Sequence, residues 1–428
     1  LTFAANCRKI YLLSLLFDMS TNPEQGFHSL GLLPEITTVL DQKAFTVPTP
    51  IQTQSIPVTL TGQDLIGIAQ TGTGKTLAFG LPTLQFLMKN PGAHALILVP
   101  TRELALQVAE NLRVITSTLQ DGIKSVVLIG GEPIYRQIKE LGRKPRIFIA
   151  TPGRLVDHLK QKTVSLSAVK VLIFDEADRM FDMGFAPQIR QVLEYVPPVR
   201  QTLLFSATMS PEVRALTNNY LKNPATVEVA RAGTSAELVS QQLCYVHRDA
   251  KFGILQKLLT EHRESVLVFS RTKHGAAKLT KSLHHAGFTA TEIHSNRSLN
   301  QRKHALEGFK RGEYRVLVAT DIAARGIDVQ NIQLVVNYDL PDAAEDYVHR
   351  IGRTGRAGKE GLAISLADPE QMKEVRAIEK LISKSLPISE YSLPVPQPVY
   401  SQPQAPSKRA GFGVQRSAVS ARRFGRRR

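Results

Sequence analysis

Two short stretches carry residue types that do phosphate chemistry. Ala69–Thr76 reads AQTGTGKT. That is the spacing of a phosphate-binding loop, G-x-x-x-x-G-K-[ST], with alanine in place of the first glycine. Backbone N–H groups of Thr71, Gly72, Thr73, Gly74 and Lys75 can wrap phosphate oxygens at the positive end of a helix dipole. The Lys75 ammonium would reach the β- and γ-phosphates of a nucleoside triphosphate, and the Thr76 hydroxyl would hold Mg²⁺. An ordinary turn rich in glycine and threonine has the same composition, so context must decide. The second stretch is VLIFDEAD, Val171–Asp178. It puts Asp175 and Glu176 at the end of an apolar run. Beside a phosphate loop, Asp175 would join the Mg²⁺ shell and Glu176 would deprotonate an attacking water. The bland alternative is an acid-rich first turn of a helix.

Such residues work only if buried elements hold them. DLIGIA before the loop reads as a strand, and KTLAFGLPTLQFL after it as a helix. Similar apolar runs recur: ALILVP, VVLIG, RIFIAT, VKVLIFD, QTLLFSAT and ATVEVA. A second series follows in QQLCYV, SVLVFS, ATEIH, VLVAT, LVVNYD and LAISLA, with predicted helices over Lys273–Ala286 and Leu299–Arg311. Unbroken apolar runs of this length suit strands covered on both faces, hence parallel sheets between helices. The expected fold class is α/β, with two tandem parallel-sheet domains over 24–230 and 241–386 and a linker over 231–240.

Six prolines after Leu386 mark residues 387–428 as a disordered tail. Lys408, Arg409, Arg416, Arg422, Arg423, Arg426, Arg427 and Arg428 crowd its end, in a chain of net charge +17. A polyanion partner follows, nucleic acid being the commonest. Only Cys7 and Cys244 occur, which gives no disulfide framework and fits a reducing compartment such as the cytoplasm. No apolar run reaches the roughly 18 residues of a membrane span. Residues 1–23 read as an extension. IYLLSLLF after Arg8 and Lys9 has the look of a targeting segment but no cleavage site, so Met19 is taken as the start.

Together these motifs resemble the DEAD-box RNA helicases. FTVPTPIQ (Phe45–Gln52), PTRELA (Pro100–Ala105), Gly130–Gly131, TPGR (Thr151–Arg154), SAT (Ser206–Thr208), VLVFSRT, ATDIAARGID (Ala319–Asp328) and HRIGRTGR (His349–Arg356) follow in the family's order. DEADRMFDMGF and the basic tail resemble the RhlE-type bacterial branch. In this family an alanine is usual where Ala69 stands.

The resemblance implies two RecA-like domains closing over ATP, Mg²⁺ and RNA. It implies adenine reading by Gln52 with Phe27 nearby, and further ATP contacts from Gly326 and Asp328. Arg353 and Arg356 would be arginine fingers. Arg102, Gly131, Thr151, Arg154, Arg302 and Thr320 would contact RNA. Ser206, Thr208 and His349 would couple the two sites. A surface salt bridge is the plain alternative for any one such arginine. The implied activity is RNA-stimulated ATP hydrolysis that separates short duplexes, or an ATP-gated RNA clamp with little unwinding. The implied molecule is a cytoplasmic monomer with ribosome-assembly or RNA-decay partners. Two departures stand out. Ala44 replaces a glycine, with little effect expected, and Ser295 replaces a glycine beside the RNA path.

Overall fold

A computed structural model describes residues 26–70, 72–119, 122–229, 239–324, 332–355 and 360–392. Its first seven strands are β1 (Leu65–Ile68), β2 (His94–Leu98), β3 (Ser125–Leu128), β4 (Ile147–Ala150), β5 (Val169–Asp175), β6 (Gln201–Ser206) and β7 (Ala225–Glu228). They form one parallel sheet in the order β3-β4-β2-β5-β6-β1-β7. A second parallel sheet takes β8 (Val239–Tyr245), β9 (Val266–Phe269), β10 (Ala290–Ile293), β11 (Val316–Ala319), β12 (Leu334–Asn337) and β13 (Gly361–Ala367). Its order is β10-β11-β9-β12-β13-β8. The apolar runs read from the sequence are these strands, and both sheets have the RecA-like parallel arrangement.

Each sheet is apolar on both faces because side chains alternate along a strand. In the first, Ile97, Ile173, Leu203 and Phe205 enter one cluster. Their neighbours Leu96, Leu98, Leu172, Phe174 and Leu204 enter the other. Gly67 sits opposite Phe205 in the β1–β6 register, and a Cβ there would come within 2.6 Å of the ring. The order β5-β6-β1 has a functional result. It brings the C-terminal ends of the strands before DEAD, SAT and the phosphate loop side by side.

The expectation of disorder from residue 387 is corrected for the first six residues. Edge strand β8 has unpaired backbone groups, and this segment covers them. Leu243 N donates to Pro387 O at 2.8 Å, and Ser389 N donates to Leu243 O at 2.7 Å. Tyr245 N donates to the Ser392 hydroxyl at 3.0 Å. Buried Leu386 and Ser389 anchor the segment. The arginine-rich remainder lies outside the described residues.

Ala44 also departs from expectation. It follows the helix Pro34–Gln42 with φ of 59°. Ala44 N bonds to Asp41 O and Phe45 N to Leu40 O, both at 2.9 Å. This is a Schellman C-cap with an L-residue in the left-handed position. A side chain there costs about 1–2 kcal/mol, of which glycine's extra freedom in the unfolded chain offsets about half. Ala44→Gly should therefore stabilise the protein by about 0.5–1 kcal/mol. Thermal unfolding should show Tm up by about 1–4 °C, and an unchanged or lower Tm would mean that the cap carries no strain.

Candidate active site

The phosphate loop is shaped by two glycines in positive φ, Gly72 at 89° and Gly74 at 91°. A Cβ on Gly74 would come within 2.5 Å of the Gln52 amide nitrogen. That amide braces the loop. Gln52 Nε2 donates to Gly74 O at 3.0 Å, and Gln52 Oε1 accepts from Thr49 N at 2.8 Å. The second bond is half of a capping box that starts the helix Pro50–Leu60. These bonds leave one N–H and one lone pair of the amide for a base. Phe27 is 3% exposed and belongs to the core cluster, so little of its ring is left to offer.

Lys75 opens the helix Lys75–Lys89, and its buried ammonium donates to Ala69 O at 2.9 Å. The Thr73 hydroxyl donates to Gln70 O at 2.7 Å, and half-buried Thr76 follows. Thr71, Gly326, Asp328 and Arg356 lie outside the described residues.

Asp175 ends β5 at 2% exposure, and its Oδ1 has no hydrogen-bond partner. Burial pushes its carboxyl up to about 6, while the Lys75 ammonium pulls the other way. A buried, unsatisfied carboxylate oxygen is a donor suited to a hard divalent cation, and the Thr76 hydroxyl is a second. These residues therefore fit Mg²⁺. Glu176 takes a left-handed conformation, φ 55° and ψ 51°, at the start of the helix Ala177–Asp182. Strain of this kind in a non-glycine residue persists only where its surroundings enforce it. Arg179 does so here. Its Nη1 lies 2.7 Å from Glu176 Oε2, and both side chains are at most 3% exposed.

Asp178 ties this edge to the next strand. Its Oδ2 accepts from Ala207 N at 3.1 Å, Thr208 N at 2.8 Å and the Thr208 hydroxyl at 3.0 Å. Asp178 N donates to the Ser206 hydroxyl at 3.2 Å, which itself donates to Thr208 O at 2.8 Å. The sequence reading assigned roles to Ser206 and Thr208 but not to Asp178 or Arg179.

A cleft of about 320 Å³ gathers most of the expected RNA contacts. Arg102, Gly130, Thr151, Arg154, Ser295 and Arg302 line it. A Cβ on Gly131, at φ 83°, would come within 2.1 Å of Arg102 Nη1, so the guanidinium lies against the glycine pair. Arg154 Nη1 donates to Glu132 O at 2.9 Å. Thr320 is not among the lining residues; its N–H bonds to Ile293 O at 3.3 Å. Ser295 does not have positive φ, so a serine imposes no backbone strain there. Arg302 has a partner that the sequence did not reveal. Its Nη2 lies 3.0 Å from Glu103 Oε2, each side chain 10% exposed.

In the second half, His349 Nδ1 is 3.9 Å from Asp346 Oδ1. Arg353 is buried, with Nε bonded to His349 O at 3.3 Å. Neighbouring Arg350, also missed, is structural. It grips Asp321 through Nε at 2.5 Å and Nη2 at 2.7 Å, bonds Asp339 O at 2.6 Å, and lies 4.9 Å over the Phe269 ring.

Known proteins resemble this chain across both halves. The DEAD/DEAH box helicase family matches residues 49–216, and the helicase conserved C-terminal domain matches residues 250–358. The ATP-dependent RNA helicase CshA of Listeria monocytogenes is 42% identical over 362 residues, 84% of this chain and 69% of that protein. The DEAD-box ATP-dependent RNA helicase CshA of Geobacillus kaustophilus is 40% identical over 84% of this chain and 77% of its own. S. cerevisiae Dbp5 bound to RNA and ADP BeF3 is similar at TM-score 0.75 and 30% identity, over 85% of this chain and 95% of that one. The chain belongs to the DEAD-box helicase family.

Burial of Asp175 generates a pH prediction. Its folded-state pKa of about 6 lies above the ordinary 3.8. The protonated carboxyl therefore favours the folded state below about pH 4, and that contribution is lost as pH rises through about 6. Asp175→Asn removes the loss. The ligand-free variant should melt above the wild type at pH 8, with the gap closing toward pH 4, and should gain less Tm from Mg·ATP than the wild type. Equal melting of the two proteins at pH 8 would contradict burial as the dominant cause.

Proposed function

We propose that this chain is an RNA-stimulated ATPase that separates short RNA duplexes in the cytoplasm. The observation that carries the reading is the meeting of Lys75, Asp175 and Glu176 at one sheet edge, with Asp178 fastening that edge to Ser206 and Thr208. Gln52 reads the adenine edge while holding the loop. Thr76 and Asp175 would hold Mg²⁺, which supplies charge neutralisation across the β- and γ-phosphates. Glu176 takes a proton from water as the water oxygen attacks the γ-phosphorus. The bond from that phosphorus to the bridging β–γ oxygen breaks, and ADP and phosphate leave. Arg353 and Arg356 stabilise charge on the transferring group from the second half.

RNA lies along the cleft between the halves, gripped through phosphates and 2′-hydroxyls by Arg102, Thr151, Arg154 and Arg302, with Gly131 and Thr320 beside them. His349 joins Ser206 and Thr208 in linking the two sites. The likeness to a structure bound to RNA and a nucleotide, over both halves at once, supports an arrangement competent for both ligands. Domain limits of 24–230 and 239–392, the second opening with β8 rather than at 241, go with this reading. DEADRMFDMGF favours the RhlE-type branch, although the relatives matched are named CshA. The arginine-rich tail is assigned to RNA on its sequence, as a flexible tether that raises local RNA concentration.

One set of assays tests the reading. Steady-state ATPase should rise with RNA in the wild type and nearly vanish in Glu176→Gln, which should still bind ATP and RNA. A chain ending at Ser392 should keep kcat at saturating RNA but need more RNA to reach half of it. Near-normal turnover in Glu176→Gln would remove that residue from catalysis. ATP turnover without strand separation on a short duplex would make the protein a clamp.

A further inference from the structure

A basic groove lies outside the cleft, on the helical layer of the second sheet. It runs between the helices Lys251–Glu261 and Lys273–His285 and measures about 670 Å³. Phe252, Gln256, Lys278, Lys281, His285 and Ala286 are among its lining residues. The helix Lys273–His285 carries Lys273, His274, Lys278, Lys281, His284 and His285 and no acid. Lys278 and Lys281 are exposed and form no ion pair with any described residue. His285 Nδ1 bonds to Lys281 O at 2.7 Å, leaving Nε2 uncommitted. On the facing helix the one acid, Glu261, is already engaged by the Tyr391 hydroxyl. Lys257 of that helix sits 4.6 Å over the Tyr391 ring.

An acid-free groove with cations along one wall and a half-buried aromatic ring is unusual for a merely solvated surface. Helices normally intersperse acids among their lysines to gain i,i+4 pairs and to limit repulsion. Residues three apart on a helix stand about 5–6 Å apart, so Lys278 and Lys281 can hold neighbouring phosphates of one strand. A charged groove with an aromatic platform is the general design for single-stranded nucleic acid without sequence preference. We infer that this groove is an auxiliary binding site for single-stranded RNA, tracking the backbone with Lys278 and Lys281 and stacking a base on Phe252. The ligand class rests on the RNA reading given above; the site does not share residues with the cleft.

The test uses the full chain and a labelled single-stranded oligoribonucleotide, without nucleotide. Lys278→Gln with Lys281→Gln should weaken binding about 5- to 20-fold at moderate salt. It should also make the log–log salt slope shallower by about 1.4, roughly 0.7 for each lost phosphate contact. Phe252→Leu should weaken binding with no change of slope. Tm of the lysine double variant, and kcat of every variant at saturating RNA, should match the wild type. Unchanged affinity and slope in the double variant would overturn the site. So would a double variant that keeps RNA affinity but loses binding to an acidic peptide. RNA that binds the groove but fails to stimulate the wild-type ATPase would instead sink the cleft reading and leave this one standing.

Discussion

The contact on which the proposed coupling depends is made by one turn of one helix. Leu299 and Arg302 stand three apart at the start of Leu299–Lys310 in the second half. Leu299 is buried in the apolar cluster of the first half, and Arg302 pairs with Glu103 of that half. The pair is largely withdrawn from water, and burial lowers the Arg302 pKa while Glu103 opposes it. Each partner keeps one unsatisfied atom, Arg302 Nε and Glu103 Oε1. Removing either partner from such a pair leaves a buried charge, which costs more than the pair itself contributes. Parting the halves would instead return both charges and the Leu299 side chain to water, so the contact distinguishes halves that meet from halves that do not. On the proposed mechanism, that distinction decides whether Arg353 can serve the phosphates.

Within the first half the decisive constraint is topological. Parallel strands leave all loops that follow them at one edge. The order β5-β6-β1 makes three such loops neighbours. Asp178 then joins two of them by accepting from Ala207, Thr208 and the Thr208 hydroxyl. Gln52 fastens the third from outside the sheet. Ala69 N donates to Ser206 O at 2.9 Å, which ties the start of the phosphate loop to the SAT segment.

Much of this was legible in residues alone. Unbroken apolar runs gave both sheets, because strands covered on two faces need no polar alternation. Glycine spacing gave the loop, and the acids after VLIF are the buried carboxylates beside it. What could not be read was pairing across sequence distance. Glu103 and Arg302 both stood in recognised segments, yet nothing in their spacing says that they meet. Arg350 and Arg353 are three residues apart in one motif, and only burial against Asp321 and Phe269 makes the first structural. Ala44 hid its strain because the cap depends on φ, which composition does not record. The tail was placed too early because proline content outweighed the few buried contacts of residues 387–392.

The central claim is that RNA stimulates hydrolysis by favouring a state in which Glu103 and Arg302 are paired. A double-mutant cycle on RNA-stimulated kcat/KM for ATP, using Glu103→Gln, Arg302→Gln and both together, tests it most directly. The account predicts that each single variant is impaired, Arg302→Gln the more because it also loses an RNA contact, and that the double variant is no worse than Arg302→Gln. The coupling should be on the order of 1–3 kcal/mol. Effects that simply multiply would contradict it, leaving Arg302 to act on RNA without Glu103.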